Sequence, residues 1–292
     1  MKKQQLKRSI VVSSFFVCLA IIACNKSGSL ETATTGTQNV SLSLTDGPGL
    51  YDSVFIEIKD VKVLLDTSSN TRKNDNCDYD RMGDFAHHKP DSSFIWQDLN
   101  VAAGVYNLLS LRNGVDTVLA SGTIKAGSIR LIRIDLGANN YFVKDSVKYP
   151  LNIPPNAPSY ILVKLMGNEF GRFGSTSRLW LDFDIQRSIV QLRDYKFYLT
   201  PYIRAFLVTQ TGTVTGTITP KDALPAIISV YSNTDTLYAI TNRDGFFKIR
   251  GLKDGNYTIF VNPSNGYKTA TLSNQAIINA STDNVGTITL KK

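Results

Sequence analysis

Period-two alternation dominates this 292-residue chain. Val40, Leu42 and Leu44 interleave with Ser41, Ser43 and Thr45. Val54, Ile56 and Ile58 interleave with Phe55, Glu57 and Lys59, and Val61, Val63 and Leu65 continue the run. Successive side chains of a strand point to opposite faces, so this pattern specifies half-buried strands. Residues 129–134, 160–165 and 179–185 read the same way, and Val118-Leu119-Ala120 reads as a short strand. In the strand at 129–134, simple alternation sends Arg130 and Arg133 to opposite faces. Only Arg187–Leu192 offers a weak amphipathic helical turn. The expected class is all-β, as two β-sandwiches in tandem.

Turn chemistry divides the strands. Asp46-Gly47-Pro48-Gly49 and Arg112-Asn113-Gly114 are strong turn signals. A second unit begins near Thr211. Strands are expected at 213–219 (stopped by Pro220), 226–231, 237–241, 246–249, 258–261, 269–272, 276–278 and 285–290. Asn242-Arg243-Asp244-Gly245 supplies a tight bend whose glycine can take positive φ. Short strands at such spacing over about 80 residues describe a small sandwich.

The amino terminus carries an address. Lys2, Lys3, Lys7 and Arg8 precede an apolar run from Ile10 to Ile22, and Ala23 stands directly before Cys24. The run is shorter than the roughly 20 residues a membrane-spanning helix needs. Charged start, short apolar core and small cleavage-site residue mark a secretory signal peptide. The stretch resembles a bacterial lipoprotein signal. The resemblance implies cleavage after Ala23, diacylglycerol on the Cys24 thiol and acylation of the new amine. The lipid bilayer, reached through acylated Cys24, is then a partner, because two or three acyl chains hold firmly where one binds reversibly. Residues 24–38 are small and polar, a flexible tether.

Removing residues 1–23 takes four of the 32 basic residues and leaves 28 against 24 acidic. That balance, with scattered basic residues, gives no reason to expect nucleic acid. Cys18 falls in the signal and Cys24 is acylated, so Cys77 has no partner and no disulfide framework is expected.

Two further resemblances cover the rest. Gly212-Thr213-Val214-Thr215-Gly216-Thr217-Ile218, Ala239 to Phe247 and Gly251 to Tyr257 follow a G-x-V-x-G strand, a T-x-x-D-G-x-F turn and an L-x-x-G-x-Y turn. Residues 211–292 thereby resemble the carboxypeptidase regulatory-like family, also called transthyretin-like or CnaB-like. The resemblance implies a seven-stranded accessory sandwich without a catalytic site, of a class grouped with carbohydrate-binding sandwiches. Val40 to Pro48, Tyr51 to Val54, Ile56 to Val61, Tyr106 to Gly114 and Leu181 to Ile185 give residues 39–210 a resemblance to the DUF4382 family. Together the parts look like a Bacteroidetes-type lipoprotein of the bacterial outer membrane, on its periplasmic side or at the cell surface.

Candidate chemistry is sparse. Asp75, Cys77, Asp78, Asp80, Asp84, His87, His88 and Asp91 crowd one polar stretch, but the spacing matches no calcium loop and adjacent histidines on a strand diverge. No metal site and no cofactor are expected. Asp182 and Asp184 share a strand face, expected to be solvated. Tyr195, Phe197, Tyr198 and Tyr202, followed by Phe206 and interleaved with Arg193, Lys196 and Arg204, are the candidate binding residues, able to stack on sugars or to fill the core. Trp96 and Trp180 carry the same two readings. No catalytic residues are expected. The functional expectation is a non-enzymatic, lipid-anchored envelope protein presenting a binding or assembly surface to a glycan or protein ligand. The alternatives are a carbohydrate-binding accessory lipoprotein of a polysaccharide-uptake system and a structural or pilus-anchor component.

Overall fold

The alternating segments form strands that pair across long sequence separations. In the computed structural model, residues 36–46, 50–67, 94–165, 176–192 and 196–292 are described. Among them, fourteen strands precede Thr211: β1 (Thr37–Asp46), β2 (Ser53–Asp66), β3 (Phe94–Asp98), β4 (Asn100–Val101), β5 (Gly104–Asn107), β6 (Thr117–Lys125), β7 (Ser128–Leu136), β8 (Tyr141–Lys144), β9 (Val147–Asn152), β10 (Tyr160–Lys164), β11 (Thr176–Phe183), β12 (Ile189–Gln191), β13 (Phe197–Leu199) and β14 (Ile203–Leu207). Seven follow: β15 (Gly212–Thr219), β16 (Ile227–Tyr231), β17 (Thr236–Ile240), β18 (Phe246–Leu252), β19 (Gly255–Asn262), β20 (Ala270–Ile277) and β21 (Thr282–Thr289). The chain is an all-β protein of stacked sheets.

Two sheets enclose the first core. One runs β14-β11-β1-β6-β4; the other runs β10-β7-β2-β8-β9-β13-β12, with β3 and β5 also paired to β2. Leu42, Leu44, Ile56, Leu65, Ile132 and Phe183 face inward and are almost wholly buried. Each such side chain contributes about 1.5–3 kcal/mol relative to an exposed one. A three-stranded sheet, β18-β15-β21, and a four-stranded sheet, β17-β16-β19-β20, enclose the second core around Val214, Ile228, Phe247 and Ile259. The first core's last residue is Leu207 and the second's first is Val214. Both belong to one compact unit of the chain.

Several expectations change. Arg187–Leu192 is not a helix: one helical turn, α1 (Ile185–Ser188), gives way directly to β12. Asp184 caps that turn by accepting a hydrogen bond from the Arg187 N–H at 3.0 Å. Arg130 and Arg133 do not point to opposite faces. The register slips where Leu64 and Leu65 pair with Leu131 and Ile129, so Arg130 is an extra residue in β7. Ile129, Ile132 and Ile134 therefore all reach the core. Both arginines turn outward, Arg130 to Asp66 at 3.0 Å and Arg133 to Asp135 at 2.8 Å. In the second sandwich the two strands expected at 269–272 and 276–278 are one strand, β20, interrupted by Asn274 at φ 57°.

Candidate functional site

Part of the outer face of the first sheet is covered. Thr45, Trp180 and Phe206 lie on it, and all three are buried. Thr45 turns its hydroxyl to the carbonyls of Leu111 and Val115, at 3.1 and 3.2 Å. These carbonyls belong to a bend in which Asn113 and Gly114 take φ of 55° and 79°, the double positive φ of a type I′ turn. From the same bend, Asn113 Nδ2 donates to the Ile240 carbonyl of β17 at 3.1 Å. The second sandwich thus packs on the first through a turn that the Arg112-Asn113-Gly114 signal marks in the sequence.

Charge holds the rest of this junction. Arg204 of β14 donates to Asp182 of β11 at 2.8 Å and reaches Asp235 of the second sandwich at 3.6 Å. Burial works against the Arg204 cation, but the charge and hydrogen bond of Asp182, with Asp235 behind them, more than offset it. The guanidinium is held above its ordinary pKa. Arg250 of β18 lies 4.4 Å over the Trp180 ring and 3.5 Å from Asp116. Trp180 in turn stacks with Phe206 at 6.5 Å. Gly251 sits against Phe206: a Cβ there would lie 3.0 Å from the ring. The expectation that Asp182 and Asp184 form a wet carboxylate face is corrected. Asp182 is engaged by Arg204 under the second sandwich, and Asp184 caps α1.

A groove of about 910 Å³ opens beside this junction. Tyr202 and the whole of β14 lie on one side. Turns of the second sandwich, through Thr234, Asp235, Lys253, Asp254 and Asn279, form the other. A smaller apolar hollow of about 400 Å³, lined by Leu50, Ile227, Tyr238 and Ile240, lies where Asp184 and Arg187 meet the second sandwich.

The candidate aromatic residues do not converge. Phe197 packs edge-on against Phe142 at 4.7 Å and near Tyr149 at 5.3 Å, beside the first core. It is a packing residue, because its position on β13 turns it inward. Tyr198, next along the strand, is half-buried opposite Val190. Tyr202 is exposed, with the Arg187 guanidinium 4.8 Å over its ring, and lines the groove. Phe206 lies in the junction. Trp96 is exposed, whereas Trp180 is buried. Tyr195 and Arg193 lie outside the described residues, as do Cys24 and the Asp/His/Cys stretch at 75–91. Among the described residues no cluster of His, Cys, Asp or Glu could hold a metal ion, and no helix is long and apolar enough to cross a membrane. Sequence reasoning missed Asp235, Arg250 and the edge of β14. A signal for β14 existed, in the apolar Ile203, Ala205 and Leu207 alternating with Tyr202, Arg204 and Phe206.

Comparison with known proteins adds a family. Residues 37–201 match the family described as Domain of unknown function (DUF4382). The chain belongs to the DUF4382 family. The match spans nearly all the sheets of the first sandwich and ends just before β14, so the groove straddles the end of the DUF4382 region. No curated protein matches the chain. Among solved structures, a type II cohesin–X–dockerin complex from Acetivibrio cellulolyticus is 24% identical over 27% of this chain and 56% of its own, with a TM-score of 0.23. The chain thus spans little more than half the length of that protein. The minor pilin GBS52 of Streptococcus agalactiae is 14% identical over 86% of this chain and 95% of its own, with a TM-score of 0.23. A shaft pilin of Lactobacillus rhamnosus GG is 12% identical over 86% and 98%, with a TM-score of 0.20. Likeness this low carries no functional conclusion.

Proposed function

We propose that this DUF4382 protein is a non-enzymatic component of the bacterial cell envelope, anchored in the outer membrane through acylated Cys24, that presents a binding or assembly surface. The observation that carries this reading is the 910 Å³ groove at the junction of the two sandwiches. Its volume lies within the range of ligand clefts, and clefts between packed units are common binding places. The groups around it suit recognition. Tyr202 and Lys253 are exposed, and Lys253 has no carboxylate partner among the described residues. The nearby carboxylates are engaged elsewhere: Asp182 and Asp235 by Arg204, and Asp254 by the Asn279 N–H. Carboxylates held this way are poor candidates for proton transfer, which supports a binding role over a hydrolytic one. The second sandwich, with its carboxypeptidase regulatory-like pattern, serves as the accessory module that completes the groove.

Two measurements test the proposal. Metabolic labelling with an alkyne fatty acid should mark the mature chain in the membrane fraction, and Cys24→Ala should lose both label and membrane retention. A photo-crosslinking residue placed at Lys253 should give adducts in host cells that the same residue at Lys125, on a distant strand, does not. An unlabelled, freely soluble product overturns the anchor, and equal adducts at both positions overturn the binding surface.

A further inference from the structure

β14 is an edge strand, and its open edge faces the groove. It ends its sheet, bonded on one side to β11 and, among the described residues, to no strand on the other. The phase of its hydrogen bonds is fixed by the Asp184 N–H donating to the Tyr202 carbonyl at 2.9 Å. In an antiparallel pair, the residues that bond across alternate with residues whose N–H and C=O point away. Tyr202, Arg204 and Phe206 therefore address β11, and Ile203, Ala205 and Leu207 present their backbone groups to the groove. The Leu207 carbonyl takes the Thr211 hydroxyl at 2.9 Å. Among the described residues, Ile203 and Ala205 keep both donor and acceptor open.

Two edges of the second sandwich are blunted, and this one is not. β20 is broken by Asn274 at φ 57°, and β21 by Gly286 at φ 74° with a slip in register. β14 has no proline, no bulge and a single charge, Arg204, which is turned to Asp182. Natural edges usually carry such protection against pairing. The groove also has two chemically distinct walls. Ile203 and Ala205 pack only partly against the first core, so one wall has an apolar, incompletely covered strip, with Lys164 and Gln210 also on that side. The other wall is the polar set of Thr234, Lys253, Asp254 and Asn279.

We infer that the groove binds an extended segment of another protein, added antiparallel or parallel to β14 as a further strand, with alternating apolar and polar side chains. This deepens the binding-surface reading and rests on it. Backbone donors and acceptors repeating about every 7 Å along the strand match another extended backbone and no sugar repeat. In the added strand, apolar residues cover Ile203 and Ala205 while the alternate residues meet the polar wall. The contact continues the existing junction, since Asp235 serves both.

The test uses the full chain purified in detergent and a phage library of random twelve-residue peptides. Ala205→Pro removes an N–H that β11 does not use, a change edge strands tolerate, and Ala205→Val keeps it. Selected peptides should bind the unmodified chain and Ala205→Val at least tenfold more tightly than Ala205→Pro. They should also slow amide exchange at Ile203 and Ala205. Proline scanning of the peptide should abolish binding at alternate positions. Peptides that bind all three proteins equally, or that leave the two amides unprotected, overturn strand addition. An oligosaccharide that protects Lys253 and Asn279 but not β14 also overturns it, while leaving the binding-surface reading intact. Self-association that protects β14 and is lost in Ala205→Pro overturns the foreign segment as the occupant. If Ala205→Pro does not fold, amide exchange in the unmodified chain decides.

Discussion

Arg204 is the residue on which the junction most depends. It bridges Asp182 and Asp235, which come from different sandwiches. Removing one member of a buried ion pair costs about 3–5 kcal/mol, but water in the adjoining groove reduces that. Arg204→Met should cost about 2 kcal/mol, read as a loss of unfolding free energy in urea. The pH dependence follows from the direction of the shift. A folded-state pKa raised above the unfolded value contributes stability below the unfolded pKa and loses it only as pH rises through the folded one. The unfolded value is the ordinary guanidinium one and the folded value lies above it, both far beyond neutral pH, so the deficit of Arg204→Met should stay flat from about pH 6 to about pH 9. Lys248 behaves oppositely. Burial, then the neighbouring Arg250 charge, lowers its pKa, with Asp116 opposing. Its folded form is favoured above the unfolded lysine pKa, and that advantage is lost as pH falls through the folded pKa. At neutral pH the charged side chain is therefore a small liability. Lys248→Met should raise the melting midpoint by about 1 °C at pH 7, and the gain should fade towards about pH 11. A lower midpoint at pH 7 would show that its contacts outweigh its charge.

At the scale of elements, Gly251 sets how closely β18 approaches β14. Its φ is 79°, and an added Cβ would lie 3.0 Å from the Phe206 ring. Gly251→Ala combines left-handed backbone strain with a collision, and should cost about 1–3 kcal/mol. Displacing Phe206 from Trp180 should change near-ultraviolet circular dichroism, with Trp96, on an exposed strand, unaffected. Much of the element pattern was legible. β1, β10 and β11 follow the alternation, β2 and β7 follow it on either side of a bulge, and the turn at 242–245 closes as its Asn and Gly specify, with Asn242 accepting from the Asp244 and Phe246 N–H groups. What escaped has physical reasons. The β8–β9 hairpin turns on Asp145 and Ser146 at φ 51° and 63°, without the glycine that usually announces such a turn. β9 carries Pro150, which demotes a strand reading. The inward set of β2 changes from even to odd positions between Ile58 and Val61, where the register slips past Lys59. That parity change was visible in the sequence and marks a bulge. The site was less legible, because a groove formed by two units depends on which faces meet, and alternation alone cannot tell a solvated face from one covered by a neighbour.

At the scale of the whole molecule, the two cores are separate but their junction is not a loose linker. It buries Trp180 and Phe206, outer-face positions of the first sheet, under Arg250 and Gly251 of the second sandwich. Tandem units joined by a flexible segment unfold independently, whereas units sharing a buried interface lend each other stability. Calorimetry of the intact chain should therefore show one transition, or two closely overlapping ones. Arg204 and Arg250 are the main charged ties, each reaching a carboxylate of the other sandwich. Replacing both by alanine leaves Asp182, Asp235 and Asp116 without cations and uncovers the Trp180 ring. The double variant should split the transition into two, and Trp180 emission should shift to longer wavelength before the second core melts. Because the groove has one side on each sandwich, the same variant should lose any ligand that needs both walls. A double variant that still melts in one step, with unshifted emission, would place the coupling in the apolar contacts of Phe206 and Gly251 instead of in the charges.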